Sequence, residues 1–155
     1  EELPLLQRAT SFTGYAEGWA LYAECLAAEA GLYDDDPLGD IGRLRMELLR
    51  AARAVADTGI HAFGWSRDEA IEYLAGLGLP HGWAASEVDR YIVWPGQAPT
   101  YLIGMLEILR LREAAQAELG TDFDLAGFHD AVLRNGSVPL AVLPLAVESW
   151  MASVD

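Results

Sequence analysis

Apolar residues recur at helical spacing along nearly the whole chain, and no stretch alternates as a strand would. A first helix is expected over about residues 13 to 30, stopped at Gly31. Asp36 then reads as an N-cap with Pro37 at the first helical position. The second helix starts near Leu38 to Ile41 and runs to about His61 or Gly64. Its apolar stripe is expected to hold Leu44, Leu48, Ala51, Ala52 and Val55, with Arg43, Arg50 and Asp57 on other faces. Ser66-Arg67-Asp68-Glu69 is a capping box that opens a third helix through about Leu77. Gly76, Gly78, Pro80 and Gly82 mark a turn region that includes His81. Ser86-Glu87-Val88-Asp89 opens a short helix that stops before Pro95-Gly96. A longer helix covers roughly Ala98 to Leu119 and closes at Gly120. Asp124 caps a short helix through Leu133, and Asn135-Gly136 turns the chain. Ser137 is expected to cap a last helix with Pro139 in its first turn and a kink or interruption at Pro144. These elements predict an all-α fold: one compact domain of about six to seven helices spanning residues 1–155.

Composition narrows the function classes. The 155 residues can bury a sizeable core, with 52% apolar side chains and five Trp. No run of about 18 uncharged apolar residues occurs, so no membrane span is expected. The formal charge is −14 and all ten basic residues are Arg, a field that repels phosphate backbones and argues against nucleic-acid binding. The lone Cys25 excludes an internal disulfide and reads as a buried thiol. The chain has no initiator Met and no basic-then-apolar leader, so it reads as a fragment or processed product. That favours a cytoplasmic location while leaving room for an upstream signal peptide.

Candidate chemistry gathers in three places. In Tyr15-Ala16-Glu17-Gly18-Trp19-Ala20-Leu21-Tyr22-Ala23-Glu24, two carboxylates seven apart share one helix face among aromatic residues. A carboxylate in such surroundings must be paired, hydrogen-bonded or metal-bound. Glu17 is thus a candidate metal ligand, with Glu24 supporting it or pairing elsewhere. The same spacing also suits two half-solvated surface carboxylates. Asp57 and His61, four apart, could hydrogen-bond along one helix face and orient the imidazole, or simply close a helix end. Near Pro95-Gly96-Gln97-Ala98-Pro99-Thr100-Tyr101, the Tyr101 hydroxyl could donate to a developing oxyanion and Arg90 could clamp a carboxylate. The plainer alternatives are a half-buried core aromatic and an ion-pair partner. Gly104, one turn on, permits close approach of another backbone. His81 is expected to face solvent and His129 to be structural. The acidic triplet Asp34-Asp35-Asp36 lacks the rest of a calcium loop and reads as cap and surface. No local pattern assembles a zinc site, nucleophile elbow, Walker loop or dinucleotide fingerprint.

The ordered motifs Tyr15 to Glu24, Gly42-Arg43-Leu44, Asp57-Thr58-Gly59-Ile60-His61, Trp65-Ser66, Arg90-Tyr91 and Pro95-Gly96-Gln97-Ala98 continue through Tyr101 and Gly104. They resemble a bacterial family known as domain of unknown function 885. Phe128-His129-Asp130 and Gly136-Ser137-Val138-Pro139-Leu140 carry the likeness to the C-terminus, and it corresponds to the C-terminal part of the family. Full members resemble helical zinc metallopeptidases of the gluzincin type, with a His-Glu-x-x-Pro-Gly-His segment shortly upstream of the Glu-Gly-Trp motif. The resemblance implies that Glu17 is the third zinc ligand of a larger metallopeptidase-like fold. Pro99-Thr100-Tyr101-x-x-Gly104 also resembles a motif of Taq-type metallocarboxypeptidases, which implies that Tyr101 stabilises the tetrahedral intermediate. His61 and Arg90 become substrate or oxyanion contacts, and short peptides the substrates. The His-Glu-x-x-Pro-Gly-His segment is absent from this chain, so zinc is expected in the full-length protein and not tightly bound to this fragment. The chain alone is therefore expected to be inactive and, with helix faces uncovered, to form a homo-oligomer. The alternative is a non-catalytic helical assembly or interaction module.

Overall fold

The computed structural model describes Leu5 and residues 9–154. Among the described residues the chain is all-α, with seven α-helices and no strand. They are Thr13–Glu29 (α1), Pro37–Phe63 (α2), Arg67–Gly76 (α3), His81–Val93 (α4), Thr100–Leu119 (α5), Leu125–Leu133 (α6) and Leu143–Met151 (α7). Short 3-10 turns at Gly120–Asp122 and Leu140–Val142 precede α6 and α7.

Local chemistry explains several helix ends. The Asp36 carboxylate accepts from Gly39 N at 2.9 Å and Pro37 occupies the first turn, where its missing N–H costs nothing. Ser66 and Glu69 form a complete capping box at the start of α3. Asp124 accepts from Ala126 N and Gly127 N to open α6. Gly31 (φ 78°) and Gly64 (φ 71°) take the left-handed conformation that ends α1 and α2.

Two starts differ from expectation. Helix α4 begins at His81, not at Ser86, because Pro80 leads directly into it and Trp83 N and Ala84 N bond to Pro80 O. Ser137 does not cap the last helix; its hydroxyl accepts from Phe12 N at 2.8 Å. Pro139 introduces the 3-10 turn, and Pro144 falls in the first turn of α7, so the run is interrupted ahead of Pro144 and not kinked at it.

The helices form two compact units, Ala23–Leu102 and the described part of residues 1–22 with 103–155. In the second of these, Tyr22, Ile108, Phe128, Val132 and Leu143 are fully buried. In it α1 and α5 approach closely where Gly14 and Gly18 meet Gly104 without intervening side chains. The Tyr15 hydroxyl reaches across to donate to Val132 O at 3.0 Å.

In the unit Ala23–Leu102, α3 packs on α4 and both pack on α2. Ala52, Ala56, Ala70 and Ala84 line the contact, and these small side chains let the helices draw close around Leu74, Val88 and Tyr91. The buried face of α2 is Leu49, Ala52, Arg53, Ala56, Asp57 and Gly59. Leu44, Leu48 and Val55 are exposed, as are Leu38 and Ile41. The core stripe is therefore turned from the expected one, and it carries two charged residues inward. Arg53 is 4% exposed and Asp57 is 3% exposed, so each must find compensation inside.

Candidate functional site

The compensation for Asp57 is a loop. Both its carboxylate oxygens accept from Gly96 N, at 3.2 and 3.1 Å, which pins the Pro95–Gly96 turn to the C-terminal third of α2. That turn leads through Gln97 and Ala98, both buried, into α5 and Tyr101. Asp57 does not pair with His61. The exposed His61 ring donates from Nε2 to Tyr91 O at 2.9 Å, a contact that ties the end of α2 to α4. A carbonyl only accepts, so the bond places the proton on Nε2. Gly59, between them, leaves space for the Trp65 ring, which a β-carbon would strike.

The compensation for Arg53 is partial. Its Nε lies 3.4 Å from Glu87 Oε2, and the same oxygen accepts from Arg90 Nη2 at 3.0 Å and from Tyr91 OH at 2.9 Å. Burial and the neighbouring Glu87 carboxylate both push the Tyr91 phenol well above its ordinary pKa of 10.0. Arg53 also sits over the Tyr101 ring, 4.7 Å from its centroid, and Arg50 stands 4.9 Å from the same centroid. Arg53 and Arg90 each lie 5.7 Å from the Tyr91 centroid. Tyr101, Arg90 and the His61 contact at Tyr91 thus belong to one connected cluster of α2, α4 and the start of α5. Tyr101 is half-buried, and its hydroxyl has no hydrogen bond among the described residues.

Sequence reasoning reached Tyr101, His61, Arg90 and Asp57 but missed Arg50, Arg53 and Glu87. A signal for Arg53 was present: it stands four residues before Asp57 and between Leu49 and Ala56 on one helix face. Charge at those positions argued for solvent, and only the packing of α3 and α4 reverses that.

Glu17 and Glu24 are both half-buried on α1, seven residues apart as expected. Glu24, with Glu47 and Glu29, adds to burial in raising the Cys25 thiol pKa. In the unit that holds Glu17, the Tyr22 hydroxyl meets His129 Nε2 at 2.9 Å and accepts from Arg112 Nη1 at 3.3 Å. Trp19 packs edge-on against the His129 ring, so this histidine is built into an aromatic cluster. Exposed His81 lies 3.5 Å from Glu72 at the start of α4.

A zinc ion needs about three protein ligands. Among the described residues no three His, Cys, Asp or Glu groups stand where they could share a metal ion. Glu17 by itself does not fit a complete site. No described helix is long and apolar enough to cross a membrane.

Comparison with known proteins adds two likenesses. The family model DUF885, described as a bacterial protein of unknown function, matches residues 1–147. The crystal structure of a "putative lipoprotein" from Colwellia psychrerythraea superposes with a TM-score of 0.93 at 51% identity over 96% of this chain. This chain spans 26% of that protein's length. No curated protein matches.

Proposed function

The chain belongs to the DUF885 family of bacterial proteins, and from that premise we propose that it is the C-terminal helical region of a zinc-dependent peptidase. The observation that supports this best is the Tyr101 phenol, without a hydrogen bond among the described residues and held against two guanidiniums. A phenol so placed can donate to a carbonyl oxygen as negative charge develops on it. Arg90, partly solvent-facing, can take a substrate carboxylate, and His61 can contact the same substrate. Asp57 acts as a positioning residue by fixing the turn before Tyr101. Glu17 would offer one carboxylate to the metal, supported by Glu24. One carboxylate does not hold zinc, so the other ligands would come from the rest of a longer protein.

The substrates on this reading are short peptides. Self-association would proceed through the exposed α2 residues Ile41, Leu44, Leu48 and Val55, which recur on one helix face. Light scattering that shows only monomer would remove that part. The 51% identity to a protein described as a "putative lipoprotein" supports a lipid-anchored location for the full-length protein. Cell fractionation that finds it wholly soluble would overturn that assignment.

Two contacts favour a second reading, a non-catalytic helical module: His61 is tied to a backbone carbonyl and Arg90 to Glu87. Activity of the full-length protein decides between them. Metal-dependent cleavage of short peptides is expected, with kcat lowered about 100-fold or more by Tyr101→Phe. Absence of metal-dependent cleavage overturns the peptidase reading. The isolated chain is expected to be inactive and to bind zinc weakly; a tight one-to-one site in titration calorimetry would contradict this.

A further inference from the structure

We propose that the exposed face of α2 is a dimer seam, on which a second copy of this chain lays its own α2 in parallel. Ile41, Leu44, Leu48, Ala51, Val55 and Thr58 fall alternately three and four residues apart, the a and d positions of successive heptads. Ile41, Leu44, Leu48 and Val55 are 54%, 48%, 50% and 45% exposed, so the stripe is open to a partner. Helix α2 already buries another face, through Leu49, Ala52 and Ala56, in the core it shares with α3 and α4. A helix packed on one core needs one apolar stripe, and the heptad stripe is a second. Its residue types favour two parallel strands: β-branched Ile41 and Val55 hold a positions and Leu44 a d position. Ala51 and Thr58, small at the other d positions, border an apolar groove with Leu102 into which a partner's side chains can pack.

Charge selects a second copy and sets its direction. Arg45, exposed at an e position, has no ion pair among the described residues of a chain whose overall charge is −14. Asp40 stands at the preceding g position and accepts from Arg43 Nε through Oδ1, which leaves Oδ2 for another cation. In a parallel pair each g residue faces the partner's e residue five positions on, so Asp40 meets Arg45 on both sides of the two-fold axis. An antiparallel pair sets e against e instead. The e residues here are Arg45, Ala52 and Gly59, none of them acidic, and Arg45 would stay unpaired. This pairing rests on the self-association reading and needs no catalytic activity.

Disulfide trapping and sedimentation equilibrium test the seam. In a Cys25→Ser background, Leu44→Cys should crosslink two copies on mild oxidation, because parallel helices set d opposite d. Leu145→Cys, exposed on α7, is the control and should not crosslink. Leu48→Glu should raise the dissociation constant about 100-fold or more with unchanged helical content. Arg45→Asp should weaken association about tenfold, and adding Asp40→Arg should restore most of that loss by reversing the pair. Monomer at every concentration overturns the seam and the self-association reading together. A dimer that Leu44→Cys does not trap, or that the reversed pair does not restore, overturns the parallel seam alone. A full-length protein that stays monomeric while this chain dimerises would assign the face to another part of a longer polypeptide, and that also overturns the proposal.

Discussion

Gly18 and Gly104 meet main chain to main chain: a β-carbon on Gly18 would strike the Gly104 backbone, and one on Gly104 would strike Gly18 Cα and Gly14 O. Backbone cannot rotate aside as a flexible side chain can. Gly104→Ala is therefore expected to cost about 2 kcal/mol or more by overpacking. Gly42→Ala provides the contrast, because nothing lies within 4 Å of its β-position inside α2. It should stabilise by about 0.5–1 kcal/mol through helix propensity. Urea midpoints that rank the two alike would contradict this packing.

Asp57 offers a second comparison. Removing its carboxylate leaves Gly96 N without its acceptor and an empty polar site on the buried face of α2. Asp57→Ala should destabilise by about 1–3 kcal/mol. Asp57→Asn keeps one acceptor oxygen and should cost less. Hydrogen exchange at the Gly96 amide should accelerate in the alanine variant more than at amides of α3; equal protection there would show that the bond contributes nothing.

Glu87 compensates Arg53, Arg90 and the Tyr91 hydroxyl at once. Glu87→Ala leaves a buried guanidinium without its counter-charge, at an expected cost of about 3–5 kcal/mol. Adding Arg53→Met to that variant should recover part of the loss. A strictly additive double-mutant cycle would mean that the two charges do not interact.

Acid stability should draw on the start of α3. Glu69 is held below its ordinary pKa of 4.5 by the backbone N–H and then the hydroxyl of Ser66, and Asp89 below 3.8 by its bond to Arg67. Both folded-state values are depressed, so the stability they contribute is present above about pH 4.5 and lost as pH falls through the lower folded values. Glu69→Gln and Asp89→Asn together should flatten the stability profile below pH 4.5. An unchanged acid limb would rule out this linkage.

The Tyr91 phenol predicts behaviour at the opposite end. Its folded pKa is raised above 10.0, chiefly by burial, so its contribution is complete below pH 10 and is lost as pH rises beyond it. In a spectrophotometric titration, Tyr91 should ionise late, as should Tyr15, which burial also raises. Tyr91→Phe should shrink the late step by one tyrosine, and a late step of unchanged size in the variant would assign it elsewhere.

What the sequence determined by itself is whatever is decided within about one helical turn. Asp36, Ser66 with Glu69, and Asp124 cap helices by bonds to residues two or three positions away, so spacing alone predicts them. The all-α fold follows from the same short-range periodicity, and the ordered motifs around Glu17, His61 and Tyr101 point to the family. Tertiary structure decided which face of α2 is inside, because that depends on what α3 and α4 bring to it. A pattern of apolar residues favoured Leu44, Leu48 and Val55 for the core; the fold leaves them outside and buries Arg53 and Asp57 instead. It can do so because Gly96 N and Glu87, 39 and 34 positions distant along the chain from Asp57 and Arg53, supply the hydrogen bond and counter-charge that make burial bearable. No local window contains both members of either pair, and so the arginine cluster around Tyr101 became visible only in three dimensions.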